Sequence, residues 1–414
     1  MSGIRVNEWL HNSGTGGIWQ TSAGNVGIAS SVPTTKLEVT GDAKISGVTT
    51  ATSFLSSQGQ LSHRRINMNG AMQVWQRSIS ASSTGGSNGY FAADRYRSSN
   101  NGSGRHTISK DTDTPTGEGF GHSMKIDVTT AVASPSANNY NFIQHRIEGQ
   151  DVAQFAKGTA GAKQYALSFW VKSPKTGVHV IQWEDVENSR SVQGTYTIAS
   201  ANAWEKHSII FPADTSGGIS CDGSHRMQLY FWLFAGSTYN DGNVNSLGTT
   251  WASTGSISRA SGQVNVFDNT SNNFYITGIQ LEVGSVATPF EHRSFADELA
   301  RCQRYFYMIA DGSVATGAAI ADGRFIGATE VDFMVSFPCT MRSTPSLYQV
   351  SGADYFKIMY AGYNQYVDGN WTIQYAQPNG CSHYATPDAT GVADKPAQVI
   401  LQNSAARLGY TADL

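Results

Sequence analysis

Two stretches of the sequence set aromatic rings among planar polar side chains, a combination able to hold a sugar. In the first, Trp183, Trp232, Tyr239 and Trp251 accompany Asn188, Arg190, Asn240 and Asp241. In the second, YFKIMYAGYNQYVDGNWTIQY, Tyr360, Tyr363, Tyr366 and Trp371 stand beside Asn364, Gln365, Asp368 and Asn370. Sugars offer C–H faces to rings and hydroxyls to amides, carboxylates and guanidiniums, so both stretches carry suitable side chains. Aromatic residues also fill cores, and Trp170 and Trp232, inside apolar runs, read as core. Tyr363, Tyr366 and Trp371 sit among Gly, Asn and Asp near a turn, where exposure and burial are equally open readings. AGYNQYVDGNW is the expected recognition loop.

Other chemistries have a weaker footing. A glycosidase needs two carboxylates facing across a cleft, roughly 5–10 Å apart. WEDVE supplies Glu184, Asp185 and Glu187, but strand alternation sends Glu184 and Asp185 to opposite faces. No HExxH or P-loop pattern occurs, so the expectation is a protein that is not an enzyme and uses no cofactor. KDTDTPTGEG opens like a calcium loop at Asp111 and Asp113. Pro115 then stands where an oxygen ligand belongs and Thr116 where the sharp turn requires glycine. A plain Asp/Pro turn is the reading. The histidines, and the cysteines Cys221, Cys302, Cys339 and Cys381, show no ligand spacing, so no metal is expected and the thiols read as free. A formal charge of −3 argues against a nucleic-acid partner, since such binding rests on clustered Lys and Arg.

Strands must position these groups. Charged residues are 14% of the chain and aromatics 11%, a composition that folds with many turns and favours all-β architecture. The N-terminus has no basic and apolar leader, and LYFWLFA is too short to span a bilayer, so synthesis in the cytoplasm without a signal peptide or membrane insertion is expected. In residues 31–61, Leu37, Val39, Ala43 and Ile45 alternate in pieces cut by Gly41 and Gly47. Such short strands cannot bury a face alone, and read as a β stalk wrapped from several chains. Residues 62–293 hold at least eight strands, from HSMKIDVTT through QYALSFWVKS, HVIQWEDVE and RMQLYFWLFAG to FYITGIQLEVG, a pattern that fits a jelly-roll β-sandwich. Pro289 ends the last strand. Ser294 then reads as the cap of a linking helix within 294–310, completed by Asp297, with Leu299, Cys302 and Phe306 on one face. Residues 311–414 return to strands as a smaller β domain.

INMNGAMQVWQRS with AADRYR, DTPTGEGFGHSMKIDVTTA, YALSFWVKSPKTG and ITGIQLEVGSVATPFEHRSFADELARCQRYFY resemble the carbohydrate-binding-module-like jelly roll of bacteriophage tail fibres. NVGI…KLEVTGDAKISGVTTATSF looks like the stalk repeats of phage tail proteins, particularly those of cyanophages, and IRVNEWLHNSGTGG is similar to the start of fibres in the same phages. VSFPCTMRSTPSLY resembles the start of a C-terminal fibre domain. The resemblance implies an elongated homotrimer in the virion. Residues 1–30 would attach it to a tail, nozzle or adaptor protein, and its β domains would bind host surface polysaccharide or lipopolysaccharide. It also implies acids near a calcium ion in the last sandwich strand, where this sequence has Thr277 and Gly278. The rival readings are a tailspike depolymerase and a purely structural fibre spacer.

Overall fold

The computed structural model describes residues 8–10, 17–40, 43, 63–82, 88–256, 258–388 and 390–414. Ile45, Gly41, Gly47, residues 1–7 and 11–16 of the attachment segment and most of the stalk therefore lie outside the described residues. The chain divides into two compact units, Met1–Ser56 and Ser57–Leu414.

In the first unit, strands Glu8–Leu10, Gly17–Gln20, Val26–Ile28 and Leu37–Val39 form one sheet in that order, with the last pair parallel. The Glu38 carboxylate accepts hydrogen bonds from Ser30 Oγ at 2.7 Å and the Thr34 amide at 2.8 Å, fastening the crossover into the parallel strand. The sheet covers little apolar surface. Ile18 and Ile28 pair across neighbouring strands, yet they remain 46% and 40% exposed.

The second unit is all-β apart from short helical turns and one longer helix. Its larger part is a sandwich of a seven-stranded and a six-stranded antiparallel sheet. Alternation builds the core between them. Ile143 and Ile147, Ile181 and Trp183, and Met227, Leu229 and Phe231 come from three neighbouring strands of the seven-stranded sheet. They meet Leu167, Phe169, Ile276, Ile279 and Leu281 from the opposite sheet. Gly278 has φ +64°, and a Cβ there would lie 2.7 Å from the Phe120 ring, so only glycine fits that position. The neighbouring Thr277 is buried, and its hydroxyl donates to the His122 carbonyl at 2.8 Å.

The helix runs Phe295–Gln303, and the Ser294 side chain accepts from the Asp297 amide at 3.2 Å. The expected apolar face needs correction. Phe306 lies beyond the helix, in the strand Phe306–Asp311, and Glu298 is buried together with Cys302. Glu298 turns inward because it has partners there: it accepts from the Asn69 amide at 2.5 Å and pairs with Arg65. Buried carboxylates persist only when paired in this way.

The remaining strands form a seven-stranded sheet and a three-stranded sheet around a second core. In the seven-stranded sheet, consecutive strands Tyr363–Val367 and Thr372–Gln377 occupy opposite edges. A flat sheet of that width would separate its edges by about 29 Å. The chain from Val367 to Thr372 reaches at most about 18 Å. The sheet therefore curls, and the connection crosses its open side.

Candidate functional site

The outer face of the seven-stranded sandwich sheet carries the residues that alternate with the core. Gln144 follows Ile143, Gln182 follows Ile181, Gln193 follows Val192 and Gln228 follows Met227. In each pair the first residue packs into the core, so the glutamine points to the opposite face. Strand register then aligns these positions. Arg97 lies opposite Gln144, Gln144 opposite Tyr230, Tyr230 opposite Gln182, and Gln182 opposite Gln193. The result is a straight polar ladder across five strands. A parallel row holds Arg146, Gln228, Glu184 and Ser191.

Directed hydrogen bonds connect the two rows. Arg97 Nη1 donates to Gln144 Oε1 at 2.7 Å, and Gln144 Nε2 donates to Gln228 Oε1 at 2.7 Å. Gln228 Nε2 donates to Glu184 Oε2 at 2.8 Å, and the Tyr230 hydroxyl reaches the same oxygen at 2.5 Å. The network ends on one carboxylate. Burial, and then the Glu184 charge, push the Tyr230 hydroxyl well above the usual phenol range. Gln182 is fully buried with neither amide atom bonded, a position that costs about 1–3 kcal/mol per unsatisfied group.

Beside the polar rows lies an aromatic cluster. Phe142 meets Tyr230 at 4.8 Å and Trp232 at 5.0 Å, both edge-on, and Tyr140 stacks on Phe142 at 5.1 Å. Tyr239 packs against Trp232 and Tyr140 from the segment after the strand. Leu247 and Ala260 from the same segment complete the cluster. Arg97, Tyr140, Arg146, Glu184, Tyr239 and Arg259 are half-buried and form its accessible rim. Beyond it, a recess of about 380 Å³ opens between Gln193–Thr195 and residues 244–249.

The structure disperses the first expected site. Trp183 is fully buried in the sandwich core, so it is not a glycan contact. The expected separation of Glu184 and Asp185 holds: Glu184 joins the outer network, while Asp185 is sealed against Lys157. Lys157 is itself buried, donates to the Gly217 carbonyl at 2.7 Å and lies 3.0 Å from Asp214. Arg190 is occupied by a two-pronged bond to Asp214, at 2.8 and 3.0 Å. Trp251 covers this cluster, with its Nε1 donating to the Pro212 carbonyl. Asn188 donates to Asp185, and Asn240 braces its loop by donating to the Gln263 carbonyl. These groups are joints of the fold. Of that first set, Tyr239 and the buried Trp232 belong to the outer-face cluster.

The second expected site also changes character. AGYNQYVDGNW forms a tight hairpin turn at Ala361 and Gly362, both at positive φ, followed by an edge strand. Trp371 is 1% exposed, edge-on to Phe333 at 4.8 Å, and is a core residue. Its backbone amide and carbonyl are both bonded by the Gln349 side chain at 3.0 Å. Gln365 is buried and donates to the Thr390 carbonyl, which takes it out of any contact set. Tyr363 is 68% exposed, and Tyr366 is half-buried. Asn364, Asp368 and Asn370 are exposed, although Asp368 accepts from the Asp354 amide and Asn370 from Ser351.

Asp113 accepts from Trp204 Nε1 at 2.8 Å and pairs with Lys172. Among the described residues, no group of three or more metal-capable side chains comes together. Nor is any helix among them long and apolar enough to cross a membrane.

No protein-family model matches the chain, and no curated protein matches it. Several solved structures resemble it distantly. The enzymatically active domain of bacteriophage CBA120 tailspike protein 4 is 14% identical over 53% of this chain, with a TM-score of 0.28. The match spans 21% of that tailspike chain. A family 11 carbohydrate-binding module from Clostridium thermocellum, solved with a β-1,3-1,4-mixed-linked tetrasaccharide, is 11% identical. That match covers 47% of this chain and 91% of the module, with a TM-score of 0.25. A family 22 module from the same organism is 14% identical over 44% of this chain and 85% of its own, at a TM-score of 0.24. Likenesses this distant assign no activity to the chain.

Proposed function

We propose that this protein is a glycan-binding component of a phage tail fibre that holds host surface polysaccharide or lipopolysaccharide without cleaving it. The binding surface is the outer face of the seven-stranded sandwich sheet. The observation that carries this reading is the half-buried rim of Arg97, Tyr140, Arg146, Glu184, Tyr239 and Arg259, held in place by the buried hydrogen-bonded network of Gln144, Gln228 and Tyr230 beneath it. The guanidiniums of Arg97, Arg146 and Arg259 and the Glu184 carboxylate suit the hydroxyls of a saccharide, and the rings of Tyr140 and Tyr239 suit its C–H faces. A hydrolase would need a second carboxylate facing the first, and the hydrogen-bonded network of this face ends on Glu184 alone.

Residues 1–61 serve as the assembly end, joining three copies and attaching them to a tail, nozzle or adaptor protein. The exposed Ile18, Ile28 and Leu37 support this, since neighbouring copies would cover them. Incubating the purified chain with host polysaccharide tests the central reading: the polysaccharide should co-sediment at full length. Released oligosaccharide would establish the depolymerase instead, and absence of binding would leave a structural spacer. Light scattering should give about three times the 44.5 kDa chain mass, and a stable monomer would remove the trimer.

A further inference from the structure

We infer that the glycan held on the outer face is acidic, carrying carboxylate, phosphate or sulfate groups. This rests on that face being the glycan site. Three guanidiniums, Arg97, Arg146 and Arg259, border the network around Tyr230; Arg146 donates to the main-chain oxygen of the last residue, Leu414, and Arg97 and Arg259 form no ion pair among the described residues. Against them the network sets one carboxylate, Glu184. The neighbouring acids are already engaged. Glu148 is held by Arg304 at 2.8 Å and by Tyr305, and Asp413 is held by Arg77.

The excess of positive charge is felt by the groups around it. Burial first, and the Arg146 charge second, push the Arg97 guanidinium below its ordinary value. Burial, with Arg146, Arg95 and Arg97, pushes the His225 imidazole down to about 3, so it stays neutral at physiological pH. Arg97 and Arg146 are thus held near each other with no side-chain carboxylate bonded to either among the described residues, an arrangement that an oxyanion would relieve. The donors are available. Arg97 uses Nη1 on Gln144 and Ser99, and Arg146 uses Nη1 on the main-chain oxygen of Leu414 at 2.6 Å. A guanidinium has five N–H donors in a planar fork, and that fork matches a carboxylate or phosphate edge-on. Arg259 lies 5.7 Å over the Tyr239 ring at the aromatic end of the face, so the cations bracket the cluster. An acidic repeat could meet cations at both ends.

The test uses the full-length protein on an array of uronic, phosphorylated and sulfated oligosaccharides, each printed beside its carboxyl-reduced or unsubstituted neutral counterpart. Acidic members should bind at least about tenfold more tightly than their counterparts. Binding should weaken as sodium chloride rises from about 0.05 to about 0.3 M. Arg146→Gln and Arg259→Gln should each remove most of the acid preference, with melting temperature as the folding control. Arg259 lies on a half-exposed loop, so its variant reads the site even if Arg146→Gln proves unstable. Equal binding of both members of each pair would overturn the acidic ligand and leave the glycan reading standing. Absence of binding to every member would overturn both.

Discussion

Trp371 and Tyr230 exchange the roles that their sequence neighbours suggest. Trp371 follows Asp-Gly-Asn in a turn-like segment and is sealed in a core. Tyr230 lies inside the apolar run LYFWLFA, yet its hydroxyl ends a polar network on the outer face. Both rings are buried, and the difference is in what surrounds them. The connection carrying Trp371 crosses the open side of a curled sheet, so its ring is drawn between Phe333 and Phe356. Tyr230 is on a strand whose alternate residues fill one core, which leaves Gln228, Tyr230 and Trp232 on the other face. Polarity of the immediate neighbours says little about exposure when strand geometry and a distant covering segment decide it.

The largest effect that could break this contrast is on stability. Trp371→Ala should cost about 3–5 kcal/mol in equilibrium unfolding, as removal of a core aromatic does. Tyr363→Ala should stay within about 0.5 kcal/mol. A well-folded Trp371→Ala protein that no longer adsorbs to cells would return the receptor site to the hairpin.

Binding sharpens the contrast from the other side. Glu184→Gln and Tyr230→Phe remove the end of the network and should weaken glycan binding by about tenfold or more. Tyr363→Ala and Asn364→Ala should leave it within about twofold. Isothermal titration with the best array ligand measures both, and the reverse ranking would exchange the two regions.

The joint between the two regions should show a smaller, pH-dependent effect. Burial alone would raise the Glu148 carboxyl, but the Arg304 and Tyr305 hydrogen bonds and the Arg304 charge outweigh it and hold it below its ordinary value of about 4.5. A depressed folded-state value means that the contribution is present above about pH 4.5 and fades as the pH falls through the folded value. Thermal melts should therefore lose stability on acidification below that point. Glu148→Gln should flatten this part of the profile, and an unchanged profile would show that the joint does not depend on the ion pair.

The smallest expected effect concerns metal. EDTA should move the melting temperature by less than about 1 °C, because a bound ion would otherwise stabilise the folded state by mass action. A fall of many degrees would reveal a structural ion.

Much of the fold was legible because alternation is a local signal. Met227, Leu229 and Phe231 against Gln228, Tyr230 and Trp232 can be separated from the sequence alone. So can Glu184 from Asp185, and Ser294 as a cap, since side-chain direction follows from a period of two and capping from a few adjacent residues. The same alternation runs through Gln144, Gln182, Gln193 and Gln228, each directly after a core aliphatic or Met, but the sequence reading did not single them out and alternation could not show that they line up.

Their alignment is a matter of register between strands far apart in sequence, which interstrand hydrogen bonding and the burial of both faces settle together. The burial of Trp371 and the inward turn of Glu298 are likewise non-local. One depends on a four-residue connection forcing a sheet to curl, and the other on Arg65 and the Asn69 amide waiting at the far end of the sandwich sequence. The sequence by itself determined which residues share a strand face and where the helix begins. The tertiary structure alone decided which faces are covered and which distant side chains meet, because those outcomes depend on packing partners that no local spacing specifies.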